Sequence, residues 1–323
     1  MIVVVSPYHL VSREAPALAS LLLADQVVTL LPAPLGAGSA AARQAAARSP
    51  WYARFVDALA WTAPLWREGV LAKHLGEEDP GADMREVVDR IRDEPALLAL
   101  RPLIREALFE SEHTYLSALG SDLTRGGPDP AITIPLAAAL DRFARRHRAA
   151  VARPQPVSVV QRAEASLGTP ALGIALPLFV QATGDHLLLA REILGPELAV
   201  LRRLLERITL AVTRGESPEP IARELPGAGA AYAHAFESHA RDLAHAPDDE
   251  VRPVVASVVI TAQAMPVEAV LRSSIVAMGS LVGASRSAVP APAGLTVGGA
   301  DVGPFLSLTF KPMGQSRAGR SLT

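Results

Sequence analysis

Hydrophobic and polar residues are ordered along this chain in patterns that predict many helices and a few buried strands. Ile2–Val5 is a short run of apolar, β-branched residues, which is typical of a buried strand. Ser12 is a candidate N-cap for a helix that runs to about Ala24, and Val27–Leu31 is a second apolar run, ended by Pro32. The order strand, helix, strand predicts a βαβ unit with a parallel pair of strands.

Helical patterns dominate the middle of the chain. Asp83–Asp93 is predicted to be a helix, a later helix is expected to end at Gly120, and Pro135–Arg148 is expected to form another. The segment ARPQPVS, Ala152–Ser158, contains two prolines and is the best candidate for a domain boundary.

The second half of the chain is more apolar. Residues 171–180 fit either a strand or a buried helix, and neither length nor periodicity decides between them. Asp185–Ile208 is predicted to be a long helix that breaks or kinks at Gly195-Pro196. The remaining predicted elements are two helices and two strands: Gly229–Ala244, Pro266–Val282, Val254–Ile260 and Phe305–Phe310.

Together these elements predict an α/β or α+β fold that is rich in helices, with a small and mostly parallel sheet that includes the N-terminal βαβ unit. The predicted organisation has three parts. Residues 1–153 carry the βαβ unit and a helical region, residues 157–312 form a helix-rich region with buried strands, and residues 313–323 form a flexible tail. A single fused domain is the alternative.

Composition and charge exclude several classes of function. The chain has 323 residues and no cysteine, which excludes disulfides, thiolate catalysis, iron–sulfur clusters and Cys-ligated zinc. The formal net charge of −2 predicts no attraction for nucleic acid or an anionic membrane. No basic segment precedes the N-terminal apolar run, and prolines and glycines interrupt the longest uncharged run. We therefore expect a cytoplasmic protein with no signal peptide and no membrane helix.

The first candidate site follows the first predicted strand directly, in and just after the stretch SPYHL. Ser6, Tyr8, His9 and Arg13 all carry side chains that can make polar contacts. Ligands of open α/β sheets bind at the carboxyl ends of the strands, so these four are candidate ligand-binding residues. The alternative is that Tyr8 and His9 only satisfy backbone groups of a loop.

A second candidate is the loop TRGGPDPA, which contains Asp129. Its backbone amides could bind an anion, and the carboxylate of Asp129 could contact a metal or a hydroxyl group. The same residues are also typical of an ordinary turn, because Gly-Gly provides positive φ and Pro-Asp favours a type I turn.

Three other motifs favour structural interpretations. GAGSAA, beginning at Gly36, fits a dinucleotide signature, but two prolines separate it from the preceding strand. Glu110-x-x-His113 resembles half of a di-metal site, yet on one continuous helix it lies opposite the apolar stripe. The basic cluster Arg145–Arg148 lies at the end of a predicted helix, where the helix dipole favours cations.

The stretch AYAHAFESHARDLAH holds His234, His239 and His245. On a helix, His234 and His245 share a polar face, whereas His239 falls at the edge of the buried stripe. Eleven residues separate His234 from His245, about 16 Å of helical rise, so one zinc ion cannot bind both. Two half-sites stay open, His234 with Glu237 or Ser238, and Asp242 with His245, but no metal site is predicted.

Two classes of function follow from these observations. The preferred hypothesis is a non-catalytic interaction or assembly subunit with a protein partner or a second copy, because charge is balanced and the motif tests fail. The apolar helix at Pro266–Val282 is the candidate contact, with burial in the protein's own core as the alternative. The other hypothesis is a small-molecule or metal-dependent enzyme with a pocket near His9; its cofactor, if any, is unknown.

Overall fold

A single seven-stranded sheet organises the part of the chain that the computed structural model describes. That part comprises residues 1–13, 15–31, 44–45, 47–73, 75, 80–93, 95, 101–102, 104–125, 129–147, 149–153, 172–180, 182–214, 216–239, 242–243, 252–263 and 305–312. The strands, in chain order, are β1 (Ile2–Val5), β2 (Gln26–Val28), β3 (Leu71–Ala72), β4 (Ala150–Arg153), β5 (Leu172–Val180), β6 (Arg252–Gln263) and β7 (Phe305–Pro312).

The strands are ordered β3-β2-β1-β4-β7-β6-β5 across the sheet. β1 pairs in parallel with β2 on one side and β4 on the other, so Val4 lies opposite both Val28 and Val151. β2–β3 and β4–β7 are also parallel, whereas β6 is antiparallel to β7 and to β5. Starting from β1, the sheet is therefore extended by β2 and β3 on one side and by β4 and the later strands on the other. The carboxyl ends of all these strands except β6 lie at the same edge of the sheet.

Helices pack around this sheet. In chain order they are α1 (Pro7–Val11), α2 (Ala15–Leu23), α3 (Pro50–Ala58), α4 (Ala63–Arg67), α5 (Pro80–Asp93), α6 (Glu112–Arg125), α7 (Pro130–His147), α8 (Gly184–Ile193), α9 (Gly195–Thr213), α10 (Glu219–Ala222) and α11 (Leu225–Ser238). Two 3-10 turns, Ala60–Thr62 and Glu106–Phe109, precede α4 and α6.

The predicted fold class is confirmed: the molecule is helix-rich and α/β in character, with a mostly parallel sheet that starts from an N-terminal βαβ unit. Residues 172–180 are a strand, which decides the alternative that the sequence left open. The sheet joins strands from both sides of the predicted boundary at residues 152–158. The division into two domains stays a prediction, as does the flexible tail.

The helix predicted from Ser12 to about Ala24 is found as α2, but it begins only at Ala15, and Ser12 is not its N-cap. α1 begins at Pro7, and Ser12 caps its C-terminus, since its Oγ donates a hydrogen bond to the carbonyl of Tyr8 at 2.8 Å. Arg13 then adopts a left-handed backbone with φ 49°, which turns the chain into α2. The second strand is also shorter than predicted and ends at Val28.

Gly120 does not end a helix, contrary to the prediction. It lies inside α6, where a Cβ atom would stand only 3.1 Å from the Cα of Tyr52 on α3. The glycine allows two helices to approach each other closely, which a sequence pattern does not distinguish from a helix end.

α2 is buried on all sides. Its residues from Ala17 to Leu23, including Ser20, are at most 2% exposed. It packs between the sheet on one side and α8 and α9 on the other. Because such a helix has no wet face, its last carbonyl groups need partners from the protein itself.

Candidate functional site

The carboxyl end of β1 leads directly into α1, and this turn positions the first site residue. Ser6 is the N-cap with extended backbone (φ −65°, ψ 136°), and Pro7 occupies the first turn, where its missing N–H is not needed. The carbonyl of Ser6 accepts a hydrogen bond from the amide of His9 at 3.0 Å. Tyr8 then projects from α1 at the edge where the strand order departs in two directions, the usual ligand position in open α/β sheets.

The hydroxyl group of Tyr8 donates a hydrogen bond to the Oδ2 atom of Asp122 on α6. The same carboxylate accepts the backbone N–H of Asp129, with distances of 2.8 Å to Oδ1 and 2.9 Å to Oδ2. Asp122 therefore joins two residues that the sequence predicted separately, Tyr8 and Asp129.

Asp129 is fixed by its own contacts at the start of α7. Its Oδ1 accepts the N–H of Ala131 at 2.9 Å, which is the standard role of an Asp N-cap. Its other carboxylate oxygen forms an ion pair with Arg105. The carboxylate of Asp129 is thus occupied, and its backbone N–H is what it contributes to Asp122. We refer to Tyr8, Asp122, Asp129 and Arg105 as the carboxyl-end cluster.

Burial sets the proton affinity of this cluster. It raises the pKa of the Asp122 carboxyl to about 6, against the opposing effects of the Tyr8 hydrogen bond and the Arg105 charge. Burial also raises the pKa of Tyr8, and the neighbouring Asp122 carboxylate raises it further. Tyr8 therefore keeps its proton, while Asp122 can gain or lose one near neutral pH.

Arg13 takes part in a different contact at the same edge. Its guanidinium carbon lies 5.2 Å from the ring centroid of Trp61, within range of a cation–π interaction. Trp61 is 9% exposed, and its indole Nε1 has no hydrogen-bond partner among the described residues. A left-handed backbone is uncommon outside glycine and costs Arg13 roughly 1–2 kcal/mol.

The carboxyl end of β2 shows similar features. Thr29, the first residue after that strand, is fully buried, and its Oγ1 atom has no hydrogen-bond partner within the described part of the chain. Leu30 follows with a left-handed backbone, φ 55°. Strained residues and unpaired buried polar atoms are destabilising, and they are often found at ligand-binding edges.

The remaining predicted residues, Ser6 and His9, lie near Tyr8 in the chain but are not members of the carboxyl-end cluster. Ser6 is partly buried, and its side chain makes no capping hydrogen bond. His9 is only 5% exposed and lies on the inner side of α1. The ligand-binding role of all five predicted residues stays a prediction.

Asp122, Arg105, Trp61 and Thr29 were not predicted. The sequence did contain an indication of Asp122. On α6 it lies seven residues after Tyr115 and three after Leu119, on the same face as these two buried side chains. A carboxylate on an apolar face is a candidate for a shifted pKa. Thr29 and Trp61 carry no comparable signal, since only tertiary packing encloses them.

The Glu110-x-x-His113 motif is not on one continuous helix. A 3-10 turn ends at Phe109 and α6 begins only at Glu112. The prediction that Glu110 and His113 share one face of a continuous helix is therefore wrong. The Nε2 atom of His113 faces Arg48 Nη1 at 2.9 Å, and its Nδ1 faces Ser111 Oγ at 2.9 Å. Arginine only donates, so Nε2 accepts and Nδ1–H donates to the serine. His113 is therefore not a base for Ser111 in this arrangement.

The histidine-rich stretch is partly a helix face, as predicted. Tyr232 is buried and donates to the carbonyl of Pro177 at 2.9 Å, whereas His234 is exposed. α11 ends at Ser238, earlier than predicted, and His239 is exposed rather than at a buried edge. Its Nδ1 atom lies 3.6 Å from a carboxylate oxygen of Asp242.

Several sequence motifs lie outside the described residues: the GAGSAA stretch, the Gly126–Pro128 part of the second candidate loop, His245 and the predicted helix Pro266–Val282. Of the Arg145–Arg148 cluster, Arg146 is described; its guanidinium lies over Phe143 at 5.8 Å, and its Nε donates to His147 at 3.2 Å.

Within the described ranges, no three His, Asp or Glu side chains are grouped so that they could hold a metal ion. In the same ranges, no helix is long and apolar enough to cross a membrane. No protein-family model matches this chain, and no curated protein or solved structure is significantly similar to it. A function for this chain is therefore inferred from the geometry of the carboxyl edge.

Proposed function

We propose that the carboxyl edge of the sheet binds a small polar molecule and that the Tyr8–Asp122 pair exchanges a proton with it. The observation that carries this proposal is the hydrogen bond between a partly buried phenol and a half-buried carboxyl at the carboxyl end of β1. This is the small-molecule enzyme hypothesis, with Asp122 as the group that exchanges the proton.

The chemistry of the pair supports this role. A protonated Asp122 donates its proton to a basic atom of the ligand and becomes a carboxylate, which the Tyr8 hydroxyl and the Asp129 amide then stabilise. In the reverse direction the carboxylate accepts a proton. A carboxyl with a pKa near 6 serves both directions near neutral pH, which an exposed aspartate does not.

The neighbouring strained residues add support. Leu30 and Arg13 hold left-handed backbones beside the ends of β2 and β1, and Thr29 buries a hydroxyl without a partner in the described structure. Such features are retained where surrounding structure holds them in place, and they are concentrated at binding edges.

Ligand-observed NMR against a library of small polar metabolites tests the proposal. We expect to find compounds that bind the wild type and that bind Asp122→Asn at least about tenfold more weakly. The substitution removes the proton exchange and a charge-assisted contact. Asp57→Asn, which changes an exposed carboxylate on α3, is the matched control and should bind as the wild type does.

Compounds that bind equally well to the wild type, Asp122→Asn and Tyr8→Phe would contradict the proposal.

The assembly-subunit hypothesis stays a prediction, because its candidate contact at Pro266–Val282 lies outside the described residues. Cytoplasmic location, a protein partner or self-association, and the lack of nucleic-acid binding also stay predictions from composition.

A further inference from the structure

The outer surface of α8 and α9 carries three large apolar side chains. Leu189 on α8 is 39% exposed, and Val200 and Leu210 on α9 are each 40% exposed. Within the described part of the chain, these three are the large hydrophobic residues that are most open to solvent. Single exposed apolar residues are ordinary on a protein surface, whereas an ordered group of them indicates an interaction site.

The three residues lie on one stripe that runs along both helices. The opposite, inner side is buried at every seventh residue, where the exposed fraction is at most 4%: Leu187, Leu194, Leu201 and Ile208. This burial continues across the break between Ile193 and Gly195, so the two helices share one inner face. At about 100° per residue, Leu189, Val200 and Leu210 fall within an arc of about 80° on the outer side. We call this arc the outer stripe.

Charged residues on the outer stripe are separated by sign. Asp185 and Glu192, towards its start, are acidic and exposed, whereas Arg207 and Arg214, towards its end, are basic and exposed. Asp185, Glu192 and Arg214 make no side-chain hydrogen bond or ion pair within the described part of the chain. One half of the stripe therefore presents negative charge and the other half presents positive charge.

Two neighbouring contacts leave this separation in place. Arg207 forms an ion pair with Glu224 at 3.2 Å, but both side chains are more than half exposed, and a guanidinium has more N–H donors than one carboxylate uses. Glu206 is an acidic residue at the border of the basic half, and its carboxylate is paired with the ammonium group of Met1.

The apolar and the charged positions of the stripe are symmetric about one point. The midpoint between Leu189 and Leu210 lies between Ala199 and Val200, and the midpoint between Glu192 and Arg207 is the same. Asp185 and Arg214 share it as well. A surface with this symmetry is complementary to itself when two copies of it pack antiparallel, whereas a parallel arrangement would place like charges together.

We propose that the outer stripe of α8 and α9 docks against the same stripe of a second copy of this chain, antiparallel about a twofold axis beside Val200. Leu189 of each copy then packs against Leu210 of the other, and Glu192 pairs with Arg207. One helix packed on another is a small interface, so the dimer is reversible in the micromolar range. The inference goes beyond the proposed function and does not depend on it, because the stripe contains no residue of the carboxyl-end cluster.

Sedimentation equilibrium of the full-length protein across the micromolar range tests the dimer. Val200→Glu places two like charges against each other at the twofold axis, so it should weaken self-association at least about tenfold. Ala53→Glu is the matched control, because it adds the same charge to an exposed position of α3 outside the stripe, and it should dimerise as the wild type does. Circular dichroism confirms that both variants keep the helical content of the wild type.

A charge exchange tests the antiparallel register. Glu192→Lys and Arg207→Glu should each weaken self-association at least about tenfold, since each puts like charges in contact. An equimolar mixture of the two variants restores an opposite charge at both pairs, so it should associate about as tightly as the wild type. Loss of the exposed Arg207–Glu224 pair contributes little to stability, so the fold is expected to survive.

The proposal is overturned if the wild type sediments as a monomer at every concentration, which would leave the stripe to solvent or to a different partner. It is also overturned if Val200→Glu and Ala53→Glu associate equally well, because the contact would then lie on another surface. A mixture that associates no more tightly than its two components would contradict the antiparallel register. None of these results bears on ligand binding that depends on Asp122, so the two proposals can fail separately.

Discussion

Two polar clusters lie at opposite ends of the first strand and its helix, and they differ in what burial does to them. The carboxyl-end cluster contains Asp122, whose pKa burial raises to about 6. The amino-end cluster, defined as Arg191, Arg202 and Asp25 at the C-terminus of α2, contains Arg191, whose pKa burial lowers to about 10.

The contacts of the amino-end cluster are those of a helix cap. Arg191 Nη1 donates to the carbonyls of Leu21, Leu22 and Ala24 at 2.7, 3.3 and 2.5 Å. Arg202 Nε donates to the carbonyl of Leu23 at 2.6 Å, and its Nη1 lies 3.5 Å from Asp25. The two cations thus supply the donors that a buried helix end lacks, and the helix dipole favours their charge.

The two clusters show that burial shifts the pKa of a group without by itself bringing that pKa close to neutrality. At pH 7 Arg191 stays charged, because a pKa of about 10 is still far above neutrality, so its state does not change. Asp122 lies close to its midpoint and does change state. Burial of an ionisable group therefore gives a fixed structural cap at one end and a group that can exchange protons at the other.

The largest expected effect is on the amino-end cluster. Arg191→Met leaves buried carbonyls of α2 without donors, and hydrogen bonds to charged groups contribute roughly 1.5–3 kcal/mol each, so we expect the free energy of unfolding to fall by about 3 kcal/mol. Urea denaturation at pH 7 measures this. Arg203→Met is the control, since Arg203 is exposed and makes one long bond of 3.3 Å to the Ala199 carbonyl, and it should change stability by less than about 0.5 kcal/mol. Equal losses for the two variants would refute the capping role.

A smaller effect, dependent on pH, is expected for the carboxyl-end cluster. The pKa of Asp122 is raised in the folded state from its ordinary value of 3.8 to about 6, so its contribution to stability is fully present below about pH 3.8 and is lost as pH rises through about 6. Asp122→Asn abolishes this dependence. The stability difference between the wild type and Asp122→Asn should fall by about 1 kcal/mol from pH 4 to pH 7, after discounting for the partial exposure of the carboxyl. A difference that is constant with pH would mean that Asp122 titrates as an ordinary aspartate.

The smallest expected effect distinguishes the hydroxyl group of Tyr8 from that of Tyr232. The Tyr8 hydrogen bond lowers the pKa of Asp122, so Tyr8→Phe should raise the midpoint of the Asp122 carboxyl above 6, as followed by ¹³C NMR. Tyr232→Phe removes a comparable buried hydroxyl, which donates to the Pro177 carbonyl at 2.9 Å, and should leave that midpoint unchanged. It should lower stability by about 1 kcal/mol, the usual contribution of one such bond. A midpoint that is the same in both variants would show that Tyr8 and Asp122 are not coupled.

Much of the fold could be predicted from local pattern. Ile2–Val5 and Val254–Ile260 are apolar enough that only a buried strand accommodates them, and both are found in strands of the sheet. The Gly195-Pro196 pair correctly predicted a break, since α8 ends at Ile193 and α9 begins at Gly195. Element ends were less certain, as Gly120 and Ser12 illustrate, because close packing and capping use the same residues.

The candidate site was predicted only in part. The residues after β1 were singled out because a strand end is visible in the sequence, and Tyr8 does lie there. Its partner Asp122 is 114 residues away, and nothing in a local window joins them. The same limit applies to Arg13 with Trp61 and to Arg191 with the end of α2.

The sequence by itself determined which segments are buried, where the first strand ends and which side chains are available there, because hydrophobic periodicity and turn chemistry act over a few residues. The tertiary structure alone decided the order of the strands, the burial that moves the pKa of Asp122, and the enclosure of the Trp61 indole N–H. Those properties depend on which distant elements pack against each other, and the desolvation and hydrogen bonding of a group exist only once that packing has formed.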